Sequence, residues 1–81
     1  MTNFLAATEL KQKRLTAGLP GRLVCVRAGV DRSRLSDIER GYLRPSTAEL
    51  MRINRAIDEL IEAKRKVAKA AAEYGWPLTL L

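Results

Sequence analysis

Four of the five glycines in this chain, Gly18, Gly29, Gly41 and Gly75, fall directly after segments whose apolar residues recur at helical spacing. Glycine can end a helix in a left-handed turn without steric cost. The chain therefore reads as all-α, a series of helices with glycine stops. The only β-branched cluster, Val24, Val26 and Val30, sits between two of those stops. At 81 residues there is one compact unit at most, and a core of that size needs mostly helical packing or a partner chain.

The first helix is predicted from an Asn3 N-cap to Thr16, with Leu5, Leu10 and Leu15 beside Ala6 and Ala7 as its apolar positions. Lys11, Lys13 and Arg14 load its C-terminal part, where cations suit the helix dipole. A short second helix is expected over Gly21–Ala28, with Pro20 in its first turn, Leu23, Val24 and Val26 packing, and Cys25 as a small residue between them. A third runs over Arg32–Arg40 behind an Asp31 N-cap and buries Leu35 and Ile38.

The fourth helix is long, because no breaker occurs from Ser46 to Tyr74. Ser46 and Glu49 form a capping-box pattern at its start. Leu50, Ile53, Ile57, Leu60, Lys64, Val67, Ala71 and Tyr74 alternate steps of three and four, which is the spacing of a coiled-coil seam. Ile61 and Ala68 widen the stripe. Lys64 interrupts it and marks the place where the helix would divide into two. Trp76 is expected either to pack back on the helix end after Gly75 or to touch a partner subunit.

Charge points to a ligand class. The net charge is +6, and it is unevenly placed: residues 1–45 carry nine Lys/Arg against four Asp/Glu, residues 46–81 six against five. A basic front half suits a polyanion. Within it, the third helix turns Arg32, Ser33, Ser36, Asp37 and Arg40 away from its apolar back, a shape and chemistry that fit the major groove of DNA. Other classes are disfavoured. There is no histidine, no Gly-rich phosphate loop, no spaced cysteine pair and no nucleophile elbow, so neither an enzyme, a metal site nor a cofactor is expected. The single cysteine allows no internal disulfide and fits a cytoplasmic setting. No basic-then-apolar leader and no run near ~20 apolar residues is visible, so no membrane association is expected.

The string GLPGRLVCVRAGVDRSRLSDIERGYLRPS resembles the phage repressor and Cro type of helix-turn-helix domain, the XRE family, and the resemblance covers roughly Glu9 to Ile57. The matching marks are Gly18-Leu19 before the second helix, Ala28-Gly29-Val30 at the turn, Glu39-Arg40-Gly41 at the end of the recognition helix, and Pro45-Ser46 opening the next one. It implies a repressor-like bundle of four to five helices. Residues 1–57 would form the DNA-binding domain, and 58–81 a helical extension continuous with it. In such a turn Ala28 is small where two helices cross, Gly29 carries the backbone twist, and Val30 plugs the gap beneath.

By the same resemblance Arg32, Ser33 and Asp37 are the base readers. Arg32 is suited to guanine O6 and N7. Asp37 departs from the family's usual amide or basic residue, and it either accepts from cytosine N4 or pairs locally with Arg34. Phosphate contacts fall to the backbone at Gly21 and to Arg22, Arg34, Arg40, Tyr42 and Arg44. Gly21 stands where the family often has a glutamine that braces the recognition helix. Arg14 and Glu39 match positions that often form a structural ion pair.

Family members usually end in two short helices, whereas Asp58-Glu59-Leu60-Ile61 carries this helix onward. The expected use of the extension is a homodimer seam of Ile53, Ile57, Leu60, Ile61, Val67 and Ala71, which would set two recognition helices on a two-fold-related operator. The competing arrangement folds the stripe back on the first helix, over Phe4 and Leu5. A small regulator, a repressor of a phage, plasmid or other mobile element, is the leading function. The alternatives are an antitoxin whose last helix masks a toxin protein, and a protein-binding adaptor with no DNA role.

Overall fold

The computed structural model describes residues 7–76. They form four helices: α1 over Ala7–Thr16, α2 over Gly21–Ala28, α3 over Arg32–Arg40 and α4 over Thr47–Glu73. Asn3, Phe4, Leu5 and Ala6 of the expected first helix lie outside the described residues.

The glycine stops are real. Gly29 takes a left-handed conformation at φ +69°, and its N–H and that of Val30 both return to the Cys25 carbonyl. A Cβ at Gly29 would meet nothing within 4 Å, so the residue is needed for its φ and not for space. At the far end of α4, Gly75 N–H returns to Ala72 O and Trp76 N–H to Ala71 O, the paired bonds of a Schellman stop. The Trp76 ring itself is largely exposed.

The core gathers Leu10 of α1, Leu19 of the following loop, Val24 and Cys25 of α2, Val30 of the turn, Leu35 and Ile38 of α3, and Ile53 and Ile57 of α4. Four of these, Val24, Ile38, Ile53 and Ile57, are fully enclosed, and each contributes about 1.5–3 kcal/mol through burial. Helix α4 packs chiefly on α2 and also on α1, while α3 packs on α1 and α2.

That arrangement corrects the seam. Ile53 and Ile57 are 1% exposed within a single chain and belong to its own core, so neither is available to a second copy. A coiled-coil seam and a helix face packed on its own domain share the same spacing, and here the domain takes the first half of the stripe. Leu60 and Ile61 are partly buried against the same core, Ala71 is buried, and Val67 remains 50% exposed.

Other local expectations also shift. Val26 does not pack: it is 79% exposed, and Leu23 is half exposed, so α2 buries only Val24 and Cys25. Asp31 holds the N-cap position of α3, but its side chain accepts no capping hydrogen bond. Helix α4 runs unbroken through Lys64 and is 27 residues long in all, roughly 40 Å at ~1.5 Å per residue. The Lys64 ammonium leaves the stripe to donate to the Ala17 carbonyl at 2.8 Å, satisfying an acceptor just beyond the C-terminus of α1.

Candidate nucleic-acid interface

Helices α2 and α3 meet through Gly29 and Val30, and α3 turns Leu35 and Ile38 inward. The outward side of α3 follows from that register. Arg32, Ser33 and Arg40 are exposed, and Ser36 and Asp37 are half buried beside them. Arg22 of α2 stands next to this face, and a cleft at the α2–α3 junction is lined by Arg22, Cys25, Val26, Gly29, Val30, Asp31 and Arg32. A second, narrower cleft joins Gly21 to Arg14, Cys25, Arg32, Ser36 and Glu39. Gly21 is the first residue of α2, and a Cβ there would sit in ordinary contact with Leu35 and Arg14 at 3.8–3.9 Å. Tyr42 and Arg44 are exposed on the loop after α3. That loop is held by Tyr42 N–H donating to the Asp37 carbonyl at 2.8 Å.

Four arginines on and beside this surface are unpaired. Arg22, Arg32, Arg40 and Arg44 take part in no ion pair among the described residues, whereas four cross-helix pairs fix the scaffold behind them. Lys13 of α1 reaches Asp58 and Asn54 of α4, and Arg27 of α2 reaches Glu59. Arg14 of α1 grips Glu39 of α3 with both arms of its fork, Nε to Oε2 at 2.8 Å and Nη2 to Oε1 at 2.9 Å. Hydrogen bonding to Glu39 is the main reason the Arg14 pKa is raised, against a smaller opposing effect of burial.

Arg34 does not pair with Asp37. Its Nε and Nη2 donate to the two oxygens of Glu49 in the first turn of α4, the second bond at 2.7 Å. Glu49 is 7% exposed, the only buried charged residue among those described, and Arg34 is its partner. The hydrogen bond from Arg34 is the main cause holding the Glu49 carboxyl below the usual glutamate range; burial opposes it, and the Arg34 and Arg52 charges reinforce it. The capping box is thereby half used. Ser46 Oγ accepts from the Glu49 N–H at 3.1 Å, but the Glu49 side chain turns to α3 instead of back to Ser46. Sequence spacing could not reveal this partner, because the pair joins two helices fifteen positions apart.

Cys25 is a buried packing residue, and burial is the first cause pushing its thiol up. No group of acidic, cysteine or histidine side chains able to hold a metal occurs among the described residues, and none of their helices is long and apolar enough to cross a membrane.

A helix pair joined by a glycine turn, with an apolar-backed second helix and unpaired arginines at its front, defines a DNA-binding helix-turn-helix. The helix-turn-helix family model matches residues 10–62, and the chain belongs to that family in its XRE form, a family of DNA-binding transcription regulators. Among curated proteins and solved structures, no chain matches.

Proposed function

We propose that this chain binds double-stranded DNA sequence-specifically as a small homodimeric repressor, with α3 in the major groove. The observation that carries the reading is the charge segregation just described: Arg22, Arg32, Arg40 and Arg44 have no acidic partner among the described residues, while Arg14 and Arg27 of the scaffold have one. Arg32 and Ser33, in the first turn of α3, are the foremost base readers, with Asp37 one turn further along. With Arg34 bonded to Glu49, the reading that remains for Asp37 is acceptance from cytosine N4. Gly21 N–H, Arg22, Arg34, Arg40, Tyr42 and Arg44 are assigned to phosphate.

Dimerisation is assigned to the second half of α4. A groove of about 700 Å³ there is lined by Leu19, Pro20 and Leu23 on one side and Leu60, Ala63 and Val67 on the other. It is the part of the apolar stripe that the domain leaves open. The antitoxin alternative uses the same DNA face and gives this groove to a toxin. The setting proposed for such a repressor is the cytoplasm.

Selection of bound duplexes from a random pool tests the reading. Enrichment of a two-fold-symmetric site supports a dimeric reader, enrichment of a single asymmetric half-site retires the dimer, and recovery of unenriched sequence retires specific reading altogether.

A further inference from the structure

Resting on the DNA-binding reading, we infer that Glu49 is a positioning residue for a phosphate contact made by Arg34. Glu49 does not face DNA itself. Both of its oxygens are taken by Arg34, and its backbone is fixed by the Ser46 cap. The carboxylate therefore meets the guanidinium from a rigid base in the first turn of α4.

Arg34 uses one edge of its fork, Nε and Nη2, for this contact. The opposite edge, including Nη1, makes no hydrogen bond among the described residues, and the side chain is 44% exposed. An arginine has five N–H donors in a fixed plane. Bracing one edge fixes the direction of the other. Arg34 lies on the flank of α3 nearest α4, whereas Arg32 lies on the flank nearest α2. Arg34 thus stands to one side of the base-reading Arg32, a placement suited to the phosphate ridge that flanks the groove on the α4 side.

The physical gain is preorganisation. A free arginine loses side-chain rotamer freedom when it grips a phosphate, and an arginine already held by Glu49 has lost it in the folded protein. A countervailing effect has the opposite sign: Glu49 brings a negative charge towards a polyanion, so on charge alone its removal would tighten binding. The two effects can be told apart by the direction of a single change.

The test measures binding of a labelled duplex of mixed sequence by the wild type and by Glu49→Gln, Arg34→Lys, Arg34→Ala and the double variant Glu49→Gln/Arg34→Ala, with thermal melts of each. Glu49→Gln removes the charge while keeping the shape. It is expected to weaken binding about two- to tenfold, with no further loss when added to Arg34→Ala. Arg34→Lys keeps the charge but loses the fork, and is expected to weaken binding to a similar degree. Arg34→Ala should lower the slope of log affinity against log salt by about 0.9. Equal or tighter binding by Glu49→Gln, or a loss that persists in the Arg34→Ala background, would overturn the inference. Should Glu49→Gln melt below the assay temperature, Arg34→Lys decides: full affinity there overturns the inference. A wild type that fails to bind any duplex overturns the DNA reading itself.

Discussion

Arg14 lies edge to edge against Glu39, and its remaining arm, Nη1, donates to the Leu19 carbonyl at 2.9 Å. One side chain of α1 therefore holds the last turn of α3 and the loop that leads into α2. Both partners are largely enclosed, so loss of one leaves the other charged and poorly solvated. Glu39→Ala is expected to cost about 3 kcal/mol. Arg14→Ala should cost at least as much, since it also orphans Leu19 O. Denaturant titration of both single variants and the double variant checks this through their coupling, which additive losses would contradict.

Glu49 gives the stability a defined response to acid. Its folded pKa lies below the ordinary value of 4.5, first because of the hydrogen bond from Arg34. The unfolded chain therefore binds a proton before the folded one does, and stability falls as pH drops. The contribution is complete above the unfolded value of 4.5 and is lost as pH falls through the lowered folded value. Melting temperature should decline across that acidic window, and Glu49→Gln should flatten the decline. A Glu49→Gln profile parallel to wild type would refute the assignment.

The contrast between Glu39 and Glu49 explains what the amino-acid order revealed. The helix ends at Thr16, Ala28 and Arg40 were readable because glycine follows the apolar register at each of them, and the backbone there depends on local sterics alone. The buried pair Leu35 and Ile38 was readable from their spacing. Val26 misled because eight residues of α2 offer barely two turns of periodicity, too few to separate a packed face from an apolar residue left outside. Ile53 and Ile57 misled for the opposite reason: the pattern was strong but does not say which surface it meets. Sequence offers Asp37 as one candidate partner for Arg34 because only near neighbours on one helix are visible in it. Its actual partner arrives from another helix.

Gly29 and Gly21 should respond oppositely to an added methyl group. Gly29 sits at φ +69° in open space, so Gly29→Ala should cost about 1 kcal/mol through backbone strain alone and leave the fold unchanged. Gly21 begins α2 without a positive φ, and the new Cβ would find ordinary contacts at 3.8–3.9 Å. Gly21→Ala should therefore stabilise by about 0.5 kcal/mol, chiefly by restricting the unfolded chain. Thermal melts of the two variants suffice. Stabilisation by Gly29→Ala would mean that the turn is not left-handed.

The two halves of the α4 stripe make separable predictions. Ile57 is enclosed by its own chain, so Ile57→Ala should cost about 3 kcal/mol by leaving a cavity, at every protein concentration alike. Val67 is half exposed at the edge of the open groove. Val67→Glu should alter the stability of an isolated chain by no more than about 0.5 kcal/mol, yet place a charge in the proposed dimer contact. Sedimentation at micromolar concentration should then show wild type and Ile57→Ala, below its melting point, as dimers and Val67→Glu as a monomer. Melting of the wild type should rise with concentration, because association stabilises by mass action. A wild type that sediments as a monomer and melts independently of concentration would remove α4 from any role in self-association, and the groove would then have to be explained by a different occupant.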